Sequence, residues 1–417
     1  MTTKPQTRTQ ETIDRHDRFM SLNYTRYPIE MVEGEGCRLR DAEGTPYLDL
    51  FSGFGATILG HCHRDLVGAV CEQAAKLWHV GNLLHTEPQT RVAEAIARHG
   101  FGGRSFFCHS GADANEAAFK LARLYGNTRP TASGESRFKI ISMEQSFHGR
   151  SFATMAATGT AKVREGFDPM IEGFERVPYN DLAAVHEAVD ARTVAVIVEP
   201  IQGEGGVQMP DDGYLQGLRA LCDERDILLI CDEVWTGCGR TGRLFAHQHW
   251  SIEPDIMTLG KGVGGGLAVG VMCAKPPLAE LYNSATQGGV KHATTLGGNC
   301  ISMAAAAAVF DVIERDGLVP HACRVGDAAM QRLNRTAQRC PVIRQVRGKG
   351  LFIGIELDLQ AGGAPFKQVA DVVAQCLKRG VLVNGTQQNV LRLAPPLVIA
   401  EAELNEGLDV IEQVLGR

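Results

Sequence analysis

At 417 residues, with 44% hydrophobic and 22% charged side chains, the chain has ordinary globular composition and enough length for two or three domains. Its net charge of −6 is spread along the whole length, with no basic stripe, which argues against a nucleic-acid partner. The first twenty residues lack a signal peptide's apolar core and no stretch approaches a membrane span, while the twelve cysteines form no C-x-x-C pair and several sit in apolar runs such as "ILLICDE", so the expectation is a cytoplasmic protein with reduced, buried thiols.

Residues 1–20 are polar and are expected to be loosely ordered. The segment "CRLRDAEGTPYLDL" (37–50) alternates around a turn and reads as a hairpin. From about 70 to 310, short apolar runs alternate with helical stretches, the pattern of a mainly parallel α/β sheet. Strands are expected at 105–109, 138–143, 193–200, 227–234 and 255–260, and "LAVGVMCAK" (267–275) reads as another. Beyond about 320 the pattern is mixed: "GKGLFIGIELD" (348–358), a helix around "VADVVAQCLKRG" (369–380), "VLRLAPPLVI" (390–399) and a last amphipathic helix. The expected division is an N-terminal segment of the small domain (1–69), a large domain (70–315) and a C-terminal small domain (316–417).

Each of the five strands ends in polar or glycine residues: Ser110-Gly111, the Phe147-His148-Gly149-Arg150 run, Glu199, Asp232-Glu233 and Lys261. Open α/β sheets bind ligands beyond the carboxyl ends of their strands, so five such endings on one edge describe one site. Lys261 stands among five glycines in "TLGKGVGGG" (258–266). Glycine admits sharp turns and close ligand approach, and a lysine deprived of water becomes a nucleophile. In "HSGADANEAAFKLAR" (109–123), the amides of Gly111 and Ala112 suit a phosphate at a helix N-terminus, although Ser110 also reads as a plain helix cap. Asp232 ends an apolar strand and needs a partner, whether a protonated ring nitrogen, a helix N-terminus or a metal.

Metal chemistry is disfavoured, since the histidines of "HCH" (61–63) and "HQH" (247–249) are only two apart and read as loop or core contacts. The G-x-G-x-x-G match in "GKGVGG" (260–265) precedes a strand rather than opening a helix, and no nucleotide P-loop occurs. A phosphate seat, a buried acid, an aromatic ring at Phe147 and an activated lysine together fit pyridoxal 5'-phosphate, with Lys261 as its Schiff-base lysine and Asp232 on its ring nitrogen.

These residues resemble the class III aminotransferases, the subgroup II branch of fold type I pyridoxal-phosphate enzymes, from about Tyr24 to Ile399. The motifs that carry the resemblance include "SGADANEAAFKLAR", "SFHGR", "EPIQGEGG", "DEVWTGCGRTG", "TLGKGVGGG", "HATTLGGN" and "LRLAPPL". Within that class "NLLHTEPQ" (82–89) is most similar to acetylornithine and related ω-amino-acid enzymes.

The resemblance implies a seven-stranded, mainly parallel sheet in a large domain beside a smaller α+β domain. It implies that Lys261 carries the cofactor and shuttles the proton, and that Asp232 bonds the ring nitrogen. Val234 and Phe147 pack the ring faces, Ser110, Gly111 and Ala112 hold the phosphate, and His148 and Glu199 lie near the cofactor. Thr295 reaches the phosphate of a neighbouring subunit, so the site needs a homodimer, and Thr294 faces the substrate. Arg150 and Arg392 are the carboxylate-binding arginines, and Glu204 pairs with Arg392 until a diacid enters.

Three positions depart from the pattern. Trp235 stands where a glutamine bonds the cofactor's ring hydroxyl, Phe54 replaces the aliphatic residue of acetylornithine enzymes or the tyrosine of ornithine enzymes, and Cys300 replaces a proline. The expected reaction moves the terminal amine of N-acetylornithine, or a close N-acylated diamino acid, to 2-oxoglutarate. Ornithine, 4-aminobutyrate or a diamine are rival donors. Decarboxylation, an aminomutase shift and a non-enzymatic scaffold are the remoter alternatives.

Overall fold

A computed structural model describes residues 7–361 and 366–416. The first sheet joins β1 (Met31–Glu35), β2 (Arg38–Asp41) and β3 (Pro46–Asp49) in an antiparallel meander. The expected hairpin at 37–50 is the β2–β3 pair, and Asp41 shapes its turn by accepting the amides of Glu43 and Thr45 at 3.1 and 2.7 Å. Residues 7–20 depart from the expected loose order. A helix spans Arg8–Phe19, Thr7 caps its first turn, and Thr9 Oγ1 donates to Glu43 at 2.6 Å. Local capping and tethers to Glu43 and Glu30 order a segment with almost no apolar face.

The central sheet holds β4 (Arg104–Cys108), β5 (Lys139–Met143), β6 (Phe174–Val177), β7 (Thr193–Val198), β8 (Leu228–Asp232), β9 (Ile256–Leu259) and β10 (Gly270–Ala274). Their order is β4-β10-β9-β8-β7-β5-β6, and only β10 runs antiparallel to its neighbours. The middle strands β7 and β8 are wholly buried, as expected of parallel strands covered on both faces. The carboxyl ends of β4, β5, β7, β8 and β9 therefore share one edge. The strands expected at 193–200, 227–234 and 255–260 leave the ladder at Val198, Asp232 and Leu259, and the trailing residues belong to that edge.

Of the strands β1 to β10 two escaped the sequence pattern, and further along the chain the strand residues 343–347, 381–382 and 384–386 did so too. The edge strand β6 reads "FERV", with charges in its middle that suit an unpaired edge, and β1 reads "MVEGE" with little apolar content. The C-terminal region supplies β11 (Ile343–Lys349), β12 (Phe352–Leu357), β13 (Val381–Leu382), β14 (Asn384–Thr386) and β15 (Val390–Leu393). A third sheet has the order β11-β12-β15-β14, whereas β13 pairs parallel with β3 and ties the tail back to the first sheet.

The helix Gly111–Asn127 lays an alanine-rich face, including Ala114, Ala117, Ala118 and Ala122, on the central sheet. Small side chains there let it approach closely, which brings its N-terminus to the site edge. The helix Leu318–Ala337 closes on the β11–β12 turn at Gly326, where a Cβ would fall 2.0 Å from the Gly350 carbonyl oxygen. Nine of the twelve cysteines are buried, while Cys62 and Cys71 are exposed and Cys323 is half-buried. Among the described residues no helix is long and apolar enough to cross a membrane.

The helical glycines give a paired test of this packing. Gly326→Ala is expected to destabilise the protein by about 1–3 kcal/mol, because the added methyl meets backbone that cannot yield. Gly68→Ala, in the helix Arg64–Lys76 with nothing within 4 Å of the new methyl, is expected to be neutral or to stabilise by up to about 1 kcal/mol. Urea unfolding midpoints of the two variants measure the contrast.

Candidate active site

Asp232, the last residue of β8, is 3% exposed. Its Oδ2 accepts from His148 Nδ1 at 2.7 Å and from Asn115 Nδ2 at 2.8 Å, and its Oδ1 accepts the Val234 amide at 3.0 Å. Thr258 donates to Asn115 Oδ1 at 2.7 Å, which orients the amide. Three chain segments thus meet at one carboxylate, and a fourth, β9, orients one of them. The one amide that Asp232 accepts lies in its own turn, at Val234.

Glu199, just beyond β7, accepts the amides of Phe147 at 2.9 Å and Gly203 at 3.1 Å. Burial pushes its carboxyl up to about 7, and the nearby Asp232 adds to the shift, while His148 and the two amides oppose it. Lys261 follows β9 in a short 3₁₀ turn at Lys261–Gly264 with φ 44°, in the left-handed region. Burial brings its amine down to about 8, Arg392 adds to that effect, and Glu204, Asp232 and Glu199 oppose it. The amine lies 3.8 Å from the centre of the Trp235 ring.

Ser110 caps the helix Gly111–Asn127. Its Oγ accepts the Asp113 amide at 3.2 Å and donates to Asp113 Oδ2 at 3.1 Å. The cap reading of Ser110 therefore holds, and the phosphate reading stays open, since the first main-chain helical bond is made by Ala114 and the amides of Gly111 and Ala112 precede it. Gly111 is pressed against Val234, where a Cβ would lie 2.5 Å from Val234 Cγ1. Val234 and Phe147 are both half-buried at this edge.

Arg392 on β15 is 1% exposed. It donates to Gly203 O at 2.8 Å and to Asn384 Oδ1, and Nη2 lies 3.3 Å from Glu204 Oε1. Burial lowers its pKa and Glu204 counters that. Arg150 is exposed, its guanidinium 5.8 Å from the Phe147 ring centre, and it makes no ion pair among the described residues. Phe54 is half exposed at φ 62° and sits 6.3 Å from the Trp235 ring. Thr294 Oγ1 is 3.2 Å from His109 Nε2, and Thr295 next to it points outward and is exposed, with no hydrogen bond to this edge among the described residues.

Asn115, Thr258, Asn384 and His109 were not singled out in the sequence. Asn115 carries a signal, an amide on the alanine face of its helix four residues after Gly111. Asn384 carries none, because it meets Arg392 only through the β14–β15 register. The paired histidines are engaged elsewhere: His61 Nε2 lies 2.8 Å from Asp49, His63 caps the helix Arg64–Lys76, and His247 Nδ1 lies 2.9 Å from Glu233. Among the described residues no group of three or more His, Cys, Asp or Glu is placed to hold a metal ion.

The family model described as Aminotransferase class-III matches residues 19–415. An acetylornithine aminotransferase of Caldanaerobacter subterraneus is 42% identical over 95% of this chain and 97% of its own length. One of Methanocaldococcus jannaschii is 39% identical over 96% and 97%. Among solved structures, the ornithine aminotransferase from Toxoplasma gondii superposes with a TM-score of 0.90 at 30% identity, covering 98% of this chain and 94% of that one. The acetylornithine aminotransferase from Elizabethkingia anophelis superposes with a TM-score of 0.84 at 30% identity, covering 98% of each.

The raised Glu199 carboxyl makes stability depend on pH. Between its ordinary 4.5 and about 7 the folded chain holds a proton that the unfolded chain has released, so stability contributed by the protonated acid is lost as pH rises through that window. Glu199→Gln cannot titrate and is expected to remove this slope. Urea unfolding of both chains at intervals from pH 4.5 to 8 checks it, and parallel curves would disprove the assignment.

Proposed function

The chain belongs to the class III aminotransferases, and from that premise we propose that it uses pyridoxal 5'-phosphate to move the terminal amine of an N-acylated diamino acid, N-acetylornithine in the first place, to 2-oxoglutarate. The observation that carries this reading is the half-buried Lys261, its amine over the Trp235 ring, on the same sheet edge as the buried Asp232 network. The residues present fit the cofactor. Gly111 leaves no room for a Cβ beside Val234, the helix N-terminus offers amides to a phosphate, and Asp232 offers a fixed negative charge.

When bound, pyridoxal 5'-phosphate supplies a carbonyl that takes up an amine and a protonated ring that withdraws electrons. The chain's own residues do the rest. Ser110, Gly111 and Ala112 would hold the phosphate end, and Val234 and Phe147 would flank the ring. Asp232, clamped by His148 and Asn115, would favour a proton on the ring nitrogen. Lys261 Nζ, lowered to about 8, has a far larger free-base fraction near neutral pH than an ordinary lysine, and takes and returns the substrate proton. Glu199 fixes the Phe147 loop through its amide.

Specificity rests on the two arginines and the aromatic wall. Arg150, exposed and without an ion-pair partner among the described residues, suits the donor's distant carboxylate. Arg392 suits the carboxylate beside the reacting carbon of 2-oxoglutarate, and Glu204 neutralises it while the donor is bound. Phe54 has no hydroxyl for an α-carboxylate, which favours an N-acylated donor over ornithine. The names of the relatives at 39–43% identity support the same donor.

The site is read as that of a homodimer. Trp78, Leu83, Leu84 and Leu296 are exposed apolar side chains on two segments stitched together by Asn82, whose amide donates to Thr294 O at 3.1 Å and Gly297 O at 3.0 Å. A patch of this kind suits a second copy, toward whose phosphate Thr295 would reach. The free thiols suit a reducing compartment such as the cytoplasm.

A donor panel with 2-oxoglutarate and with pyruvate as acceptors tests the proposed substrates, and best turnover with ornithine or 4-aminobutyrate would replace the donor. Lys261→Ala is expected to abolish transamination, and normal turnover would remove the site assignment. Arg392→Ala is expected to damage the 2-oxoglutarate half-reaction far more than the donor half-reaction, whereas Arg150→Ala damages both. A lost buried charge pair is worth about 2–5 kcal/mol, or roughly thirtyfold and upward. Single-turnover absorbance separates the halves, and equal losses for Arg392→Ala would reject the division.

A further inference from the structure

Trp235 follows Val234 beyond β8 and is 5% exposed. Two glycines make its seat. A Cβ on Gly55 would fall 2.6 Å from the indole Nε1, and a Cβ on Gly203 would fall 2.6 Å from Cε3. Phe352 backs the ring at 5.3 Å and Phe54 flanks it at 6.3 Å. Held this way, the indole presents its π surface to two cations, Lys261 Nζ at 3.8 Å and Arg392 Cζ at 4.0 Å. Among the described residues the Lys261 amine has no hydrogen bond or ion pair, so the indole is its one close partner.

An aromatic face attracts a desolvated cation through its quadrupole, most strongly for indole. The attraction acts over the whole ring face and needs no single acceptor atom, so it places an amine above the ring without committing its protons to one fixed bond. A hydrogen-bonding side chain at this place would compete for them. The indole Nε1–H is itself buried and unpaired, which leaves the ring face as the part of Trp235 that engages the site.

We propose that Trp235 is a positioning residue of this enzyme, an aromatic shelf that holds the Lys261 amine and the Arg392 guanidinium in fixed relation to each other. The inference rests on the transamination site proposed above. Around the amine, Glu204, Asp232 and Glu199 favour its charged form, and burial and Arg392 oppose it. The shelf adds to the first side of that balance, so weakening the ring's negative face moves the amine toward its neutral form.

The chain has three tryptophans, Trp78, Trp235 and Trp250, so global replacement by fluorinated tryptophan is practical. Added fluorines drain the π face stepwise and barely alter the ring's size. Competitive acetylation of the cofactor-free full-length chain across pH, read peptide by peptide by mass spectrometry, gives the titration midpoint of Lys261. The midpoint is expected to fall with each added fluorine, by roughly one unit from tryptophan to the tetrafluoro form. Lys275, which pairs with Asp255 at 2.9 Å and has no ring beside it, serves as the control and stays put.

In the loaded enzyme, Trp235→Leu is expected to slow both half-reactions, since Lys261 serves each, and to raise KM for 2-oxoglutarate about tenfold as well, whereas Trp235→Phe, which keeps an aromatic face beside both cations, is expected to fall between Trp235→Leu and the unaltered protein. An unchanged Lys261 midpoint in the tetrafluoro chain overturns the proposal, as does equal behaviour of the Leu and Phe variants. The labelling readout needs no turnover. Absence of transamination in the unaltered protein would therefore strike at the proposed function and leave the shelf to be judged by the midpoint.

Discussion

A carboxylate buried at the end of a central strand is the constraint around which the rest of this protein is arranged. Leaving Asp232 dry and unpartnered would cost several kcal/mol. Its partners arrive from separate elements, His148 from the loop after β5, Asn115 from the helix after β4, and Val234 from its own turn. Thr258 on the adjacent β9 then orders Asn115. The strand order β9-β8-β7-β5 and the closely packed alanine face of the helix Gly111–Asn127 are what make these four meetings possible. The carboxylate holds three donors before any ligand arrives, while His148 Nε2 stays buried and without a partner among the described residues.

Close approach is the second requirement, and glycine meets it. Gly111 lets a helix N-terminus press on Val234, and Gly55 and Gly203 let the indole of Trp235 lie between two backbones. Lys261 itself holds φ 44°, a conformation that costs a non-glycine residue of order 1–3 kcal/mol. It is sustained because β9 fixes the chain on one side and Gly262 packs against Ile58 on the other, where even a Cβ would meet Ile58 Cδ1 at 2.7 Å. From this conformation the amine reaches 3.8 Å from the indole centre.

Much of this was legible in the sequence, for a physical reason. A buried parallel sheet needs continuous apolar runs, and a site at its edge needs polar residues right after them, so the endings at Ser110, Phe147, Glu199, Asp232 and Lys261 stood out by contrast. What stayed hidden depends on register or on weak local pattern. Asn384 reaches Arg392 only through the pairing of β14 with β15, and the partnering of β13 with β3 joins residues more than three hundred positions apart. The edge strand β6 hides because its exposed charges break the apolar run. The helix Arg8–Phe19 hides because capping and tethers, rather than an apolar stripe, hold it. Trp235 was visible as a departure, yet its place between Lys261 and Arg392 belongs to the three-dimensional arrangement alone.

On the proposed function, the two arginines would treat the two ligands differently. Arg392 is dry and already compensated, so an incoming carboxylate must replace Glu204 and exchange one ion pair for another. That exchange is close to neutral unless the newcomer's geometry is better, which makes Arg392 discriminating rather than simply attractive. The backbone of Glu204 is pinned through its carbonyl, which accepts from Thr386 at 2.9 Å and Gln387 at 2.8 Å, so only its side chain needs to move. Arg150 lies in water, where a single ion pair is weak, screened by salt and tolerant of distance. A distant carboxylate held there sets direction more than identity. On the proposed function, selection among donors of similar reach would then fall to the aromatic pair Phe54 and Trp235, whose rings lie 6.3 Å apart beside Arg392.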